Sequence, residues 1–449
     1  MPSESGRIHD EAERQQVRRH IEQTAFSNHT QIALADNNPE AIFLCALGRF
    51  FDANVQFFAQ LQGQQAVPVP APCAPAPFAE KTVLFLTPNG VSFVQDLSIY
   101  RMARGLRQQG WNTVLLCFSG ALRQFGDAFT QIHETGSVLD FFRMLQMLPR
   151  SHLLYRGWMT AYLFGAYLVR CYPETVVMLK DWNFAEEKDY LFLISGNKPA
   201  YDFWGIDYIF RNCRRVLSQY AEEEGKLWAA EYNTNPDKFI FFPELCTESS
   251  FVEKSAVTYD KTRLVHAGSC PPTSMPEGYF PSKKIFEDAI RLTRTGIDFS
   301  YVIQEKIYDA IISNRDTYFD MVYENYRNPD FHLVKGRSLD PGVLLPYHFG
   351  IFCLTETVNA IRLIKHSIPS KFAFYLEAGL PMLVNKRMTS LAAMVEERGL
   401  GITFTNDDVP RLDQLLDIGE KRYNELVKNV CAFRKRFTYE SFDLVGILG

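Results

Sequence analysis

The chain has 449 residues, 47% apolar and 22% charged, the balance of a water-soluble globular protein long enough for two or three domains. Lys and Arg number 47 against 52 Asp and Glu, a net charge of -5, so the broad basic surface that nucleic-acid binding requires is missing. The nine cysteines stand singly, with no Cys-x-x-Cys pair, which excludes the common zinc and redox spacings and a disulfide framework. The first residues are polar and charged through Arg19, unlike a signal peptide. The longest apolar candidate, between Arg156 and Arg170, is shorter than the roughly 20 residues that a bilayer span takes. These features describe a cytoplasmic, reduced, soluble protein, compatible with peripheral attachment to a membrane.

Residues 1–65 read as a helical segment. Asn38-Pro39-Glu40 supplies an N-cap, a proline for the first helical position and an acid for the first turn. Ile42, Leu44, Phe50, Phe51, Val55, Phe57, Phe58 and Leu61 then exceed one narrow apolar stripe. The segment is therefore expected to pack on the body or to mediate self-association. Residues 66–79 carry Pro68, Pro70, Pro72, Pro75 and Pro77 and read as a semi-rigid linker.

After the linker, strands and helices alternate. Thr82–Thr87 (TVLFLT) is apolar without alternation, as in a buried parallel sheet. Pro88-Asn89-Gly90 makes a turn, a helix runs from Ser92 to about Gln109, Gly110 closes it, and a strand follows at 112–118, one right-handed βαβ unit. Further strands are expected at 152–155, 175–180, 208–210 and 238–242. A second run begins with the strand Arg263–Ala267 and Gly268-Ser269, then a helix at 282–295 and strands at 298–303, 331–334, 350–354, 381–385 and 401–404. The expected class is α/β: two doubly wound Rossmann-like domains facing a cleft. The first spans 80–250, the second 260–427, and a last segment, 428–449, is expected to cross back to the first. In such sheets ligands sit beyond the carboxyl ends of the strands.

No Gly-x-Gly-x-x-Gly follows a strand, and there is no P-loop, no Gly-x-Ser-x-Gly elbow and no His-Glu-x-x-His helix. A dinucleotide cofactor and a metal site are therefore not expected. The informative stretch is 368–404. Pro369-Ser370 opens a helix that includes Lys371, Gly379 sits where a left-handed C′ residue is wanted, and Pro381 forbids continuation. A strand follows from Met382, Ser390 is placed to cap the next helix, Gly399 ends it, and Ile402-Thr403-Phe404 is a strand.

Pro369, Lys371, Tyr375, Leu376, Ala378, Gly379 and Pro381, followed by Val395, Glu396, Glu397, Gly399, Gly401 and Ile402, make this stretch resemble the donor-site region of nucleotide-sugar glycosyltransferases with the GT-B fold (glycosyltransferase group 1-like). The motif covers this segment, and the layout of two halves extends the resemblance to about residues 80–449. It implies a second domain that binds a nucleotide-sugar donor and a first domain that binds a glycan, lipid-linked or protein acceptor. It also implies that positive side chains, without a metal, stabilise the departing diphosphate. Many relatives carry a ribose-binding Glu five residues before the motif glycine; here that residue is Phe374, and an acid stands instead at Glu377.

The implied donor and phosphate contacts are Gly268, Ser269, Arg362, Ser370, Lys371, Tyr375 and Glu377. Lys371 brings an ammonium to a helix start, and Lys365 adds charge upstream. Glu356 is placed to accept from donor-sugar hydroxyls. Asp181, closing a first-domain strand, is placed as the general base that inverting transfer needs. Asn89 and Gly90 belong to the acceptor loop, which holds neither the His nor the Asp that several inverting relatives keep there; that weighs towards retention. Trp111, Trp158, Trp182 and Trp204 are candidates for stacking on a sugar face. Two other readings stay open: a GT-B-shaped partner subunit without transfer activity, and a nucleotide-sugar epimerase of the same fold.

Overall fold

The computed structural model describes residues 32–34, 67–69, 77–87, 97–117, 123–135, 138–158, 162–180, 199–254, 261–268, 285–304, 308–309, 328–336, 340–352 and 365–449. The chain divides into two compact units, Met1–Phe242 with Asp443–Gly449, and Pro243–Phe442.

β1 (Ile32–Leu34) and β2 (Val67–Val69) pair antiparallel, with Ala33 opposite Pro68. Residues 32–34 are thus strand where helix is expected, and the proline-rich linker contributes a strand of its own. The fixed φ of proline suits extended chain, and its missing N–H is tolerated in a strand with an outer edge. The helix expected after Asn38 lies outside the described residues.

The first unit holds β3 (Thr82–Thr87), β4 (Asn112–Cys117), β5 (Gln131–Glu134), β6 (His152–Trp158), β7 (Val176–Lys180), β8 (Arg215–Ser218) and β9 (Phe239–Phe241). They form one sheet in the order β5-β4-β3-β6-β7-β8-β9, and every neighbouring pair is parallel. All six residues of β3 are buried, which explains the absence of polar alternation. The unit's described helices include α1 (Leu97–Gln108), α2 (Val138–Met147), α3 (Tyr162–Cys171), α4 (Pro199–Asn212) and α5 (Glu222–Glu231). On α1, Ile99, Tyr100, Met102, Ala103 and Leu106 face the core.

Residues 208–210 are not a strand: they lie inside α4. Ile206, Ile209 and Phe210, all fully buried, are spaced i, i+3, i+4, the period of one helix face. The strand is instead β8, which follows the helix. After Phe442 the chain returns to the first unit. There the guanidinium of Arg214 donates to the carbonyl of Gly449, and that of Arg215 to Gly446 and, at 2.8 Å, to Ile447.

The second unit holds β10 (Arg263–Ala267), β11 (Asp298–Gln304), β12 (Phe331–Gly336), β13 (Phe349–Ile351), β14 (Met382–Asn385) and β15 (Gly401–Phe404). Their order is β12-β11-β10-β13-β14-β15, again all parallel. Its described helices are α6 (Ile285–Thr293), α7 (Lys371–Glu377), α8 (Thr389–Arg398), α9 (Leu412–Leu416) and α10 (Gly419–Arg434). Leu264, Phe299, Phe349, Leu383, Phe404 and Tyr423 belong to one buried cluster.

The strand order decides where a ligand fits. The chain lays β11 and β12 on one side of β10, then returns to place β13, β14 and β15 on the other. β10 and β13 are paired only at Leu264 with Phe349 and Val265 with Gly350. Beyond Val265 the two strands are no longer paired, and the next strand lies on one side after β10 and on the other after β13, the topology that opens a binding crevice.

Gly379 (φ +63°) and Gly399 (φ +60°) end α7 and α8 in the left-handed region, as the motif requires. Ser370 stands at the N-cap of α7 with helical angles and no capping hydrogen bond. α8 starts two residues earlier than expected, at Thr389 with Met388 at its N-cap, which puts Ser390 inside the helix.

Candidate functional site

Where β10 and β13 part, four residues meet. His266, on β10, is fully buried. Its Nδ1 lies 3.1 Å from the Ile351 carbonyl at the end of β13, and its Nε2 lies 3.1 Å from Lys371 Nζ in the first turn of α7. Gly268 follows β10 directly. A methyl group there would sit 3.3 Å from Lys371 Nζ and 3.4 Å from His266 Nε2, so the glycine makes room for the lysine–histidine pair. Its own N–H donates to the Val302 carbonyl on β11 at 3.2 Å.

The fourth residue, Tyr375, lies one turn beyond Lys371 on α7 and is fully buried. Its hydroxyl accepts from the Ala267 N–H at 3.1 Å and lies 2.9 Å from the Ile351 carbonyl and 3.3 Å from that of Val265. The phenol therefore bridges β10 and β13 where strand pairing has stopped. Burial raises its pKa, so it remains a donor. Its ring lies against Gly350, where an added Cβ would come within 2.7 Å of it. Tyr375→Phe should cost about 1–3 kcal/mol, since it leaves a buried N–H and carbonyl without their partner. Urea unfolding checks it, and an unchanged midpoint would contradict the bridging role.

Burial, and then the ammonium of Lys371, hold His266 well below the ordinary histidine range, partly opposed by the bond to Ile351. The folded protein takes up this proton less readily than the unfolded chain, whose histidines titrate near about pH 6.5. Stability from this residue is therefore full above that pH and is lost as pH falls below it, by up to about 1.4 kcal/mol per pH unit. Thermal melts from pH 7.5 to 4.5 should show a shallower acid decline for His266→Gln than for the wild type. Parallel declines would mean that His266 is not a buried neutral imidazole.

The structure brings together two of the expected donor contacts, Lys371 and Gly268, with Ser370 adjacent and partly exposed. It encloses two others. Tyr375 is spent on the strand bridge, and Glu377, at 0% exposure, accepts from the Thr247 N–H at 3.0 Å. The main-chain carbonyl of Glu377 receives Val252 N–H and Arg434 Nη1. Glu377 thus pins the segment that enters the second unit.

Asn89, Gly90, Asp181, Ser269, Glu356, Arg362 and Trp182 lie outside the described residues. Trp111 packs edge-on against His152, with ring centroids 5.3 Å apart. Trp158 ends β6 and Trp204 lies on α4. The residue that sequence reasoning missed is His266; its signal was a polar side chain inside the otherwise apolar stretch Leu264–Ala267, directly before a glycine. Among the described residues no group of three His, Cys, Asp or Glu is arranged to hold a metal ion, and no helix is long and apolar enough to cross a membrane.

Residues 343–442 match the family model described as glucosyltransferase 3-like, C-terminal domain. The matched stretch includes Lys371, Tyr375 and Gly401, while His266 and Gly268 precede it. No curated protein matches the chain. Similar solved structures include Anabaena HepE in complex with UDP-glucose, 9% identical over 82% of this chain and 96% of that one, with a TM-score of 0.49. WaaG, a glycosyltransferase involved in lipopolysaccharide biosynthesis, is 14% identical over 81% and 97%, with a TM-score of 0.49. A mutant O-GlcNAc transferase from Thermobaculum terrenum is 8% identical over 84% and 68%, with a TM-score of 0.49.

Proposed function

We propose that the protein is a GT-B glycosyltransferase that moves a sugar from a nucleotide-sugar donor to a hydroxyl-bearing acceptor. One observation carries this reading: the ammonium of Lys371 stands at the parting of β10 and β13, inside a domain matched to a glucosyltransferase family. When the glycosidic C–O bond breaks, the leaving nucleoside diphosphate gains negative charge. A fixed ammonium binds that charge more strongly in the transition state than in the intact donor, which is how binding energy becomes rate.

In this reading Lys371 contacts the diphosphate, with Ser269, Ser370 and Arg362 beside it. Glu356 accepts from donor-sugar hydroxyls, and Asn89 and Gly90 contribute to acceptor binding. Asp181 is the proposed general base of an inverting reaction. Asp181→Asn should then lower turnover by at least about a hundredfold with donor binding intact; a near-normal rate would remove Asp181 from the mechanism and favour retention. Gly268→Ala should push Lys371 Nζ aside and weaken donor binding by about 3- to 10-fold, a part of the value of one charge-assisted contact.

The family's description makes glucose the first sugar to test. Incubation with UDP-, ADP- and GDP-glucose, followed by mass spectrometry, separates the readings. Sugar transfer or slow donor hydrolysis supports the proposal, and an isomerised sugar supports an epimerase. Absence of binding to any of a wider panel of nucleotide sugars supports a partner subunit without transfer activity.

A further inference from the structure

We infer that His266 is a positioning residue that holds the Lys371 ammonium over Gly268, at the mouth of the β10/β13 crevice, for the diphosphate of the donor. The diphosphate part of this inference rests on the proposed function; the geometry does not. The Ile351 carbonyl accepts hydrogen bonds only, so the imidazole nitrogen facing it, Nδ1, carries the proton. The other nitrogen, Nε2, then presents its lone pair, and the Lys371 ammonium donates to it at 3.1 Å. The tautomer is fixed by a main-chain group of the neighbouring strand, as second-shell carbonyls fix metal-binding imidazoles.

This arrangement solves a particular problem. A lysine has about 2 kcal/mol of rotamer entropy and carries its charge on a flexible four-carbon stem. A neutral imidazole acceptor holds that stem without itself adding negative charge. Burial of His266 at 0% exposure keeps the imidazole from competing for the proton, and the missing side chain at Gly268 leaves the space in which Nζ sits. Tyr375 completes the frame, since its hydroxyl reaches the same Ile351 carbonyl at 2.9 Å.

Two measurements test the inference. Long-range proton–nitrogen spectra of the ligand-free, histidine-labelled protein read the tautomer directly. The expected result is a neutral, Nδ1-protonated His266 from pH 5.5 to 8 whose Nε2 resonance moves in Lys371→Met; an Nε2-protonated or charged ring, or an Nε2 that ignores Lys371→Met, overturns it. The second is a double-mutant cycle with UDP, GDP and ADP and their nucleosides. His266→Phe should weaken the tightest diphosphate about 10-fold, the scale of one hydrogen bond to a charged group. It should spare the nucleoside, be largely rescued by His266→Gln, and add nothing in a Lys371→Ala background. Equal losses for nucleoside and diphosphate, or full additivity with Lys371→Ala, would reduce His266 to a packing residue. If none of the diphosphates binds the wild type, the donor reading fails, while the spectra still decide whether His266 holds Lys371.

Discussion

Lys371→Ala is expected to weaken nucleoside-diphosphate binding by roughly 10- to 150-fold, the equivalent of the about 1.5–3 kcal/mol carried by a hydrogen bond to a charged group. The affinity for the uncharged nucleoside should hardly change. The ammonium sits where the sheet opens, and its aim is set by His266 rather than by the short helix that carries it. α7 has seven residues, and its second amide, that of Phe372, already donates to the Pro369 carbonyl. The electrostatic contribution therefore falls on the side chain. The fold should survive, because α7 is held by Phe372, Ala373, Tyr375 and Leu376, all fully buried, while Lys371 itself is partly exposed. Calorimetric titration of diphosphate and nucleoside into both proteins checks it. Equal losses for both ligands would mean a deformed site, and no loss would mean that the diphosphate binds elsewhere.

Gly401→Ala should have the largest effect on stability. Gly401 opens β15 opposite Met382 of β14. A Cβ there would lie 1.9 Å from the Met382 carbonyl oxygen, 2.6 Å from its nitrogen and 2.7 Å from its carbonyl carbon. A flexible side chain can turn away from such a clash, but a sheet backbone cannot without giving up its ladder. β14 is buried throughout and carries β15 on one side and β13 on the other. The cost should reach about 3 kcal/mol, the upper end of ordinary overpacking, and lower the Tm by about 6–12 °C for a unit of this size. A circular-dichroism melt reads it; an unchanged Tm would show that the two strands are further apart than described.

Much of this architecture was legible because parallel strands buried on both faces are mostly apolar, without polar alternation. TVLFLT and the Met-Leu-Val run from Met382 announce themselves in that way. The strands that escaped lack the signal. β5 reads QIHE, lies at the sheet edge and is only partly buried, so no apolar run marks it. β8 has four residues, RVLS, and was displaced in the reading by the Tyr-Ile-Phe run at 208–210, whose β-branched and aromatic composition imitates a strand while its buried positions follow a helix.

The site divides along the same lines. Lys371 and the left-handed glycines were legible because a helix start and a helix stop are local events. The roles of Tyr375 and Glu377 were not, because the motif records that these positions are fixed without recording by what. One bridges two strands and the other anchors Thr247, 130 residues away in sequence. His266 was invisible for the same reason, since its partner lies 105 residues further along and only the strand order brings the two together.

The most direct test of the central claim is a crystal structure of the protein with a nucleoside diphosphate bound. The account predicts the diphosphate beyond the carboxyl ends of β10 and β13, with a phosphate oxygen in hydrogen-bonding contact with Lys371 Nζ and the Nζ–Nε2 contact to His266 retained. A diphosphate held elsewhere on the chain, with Lys371 and His266 untouched by it, would contradict the claim.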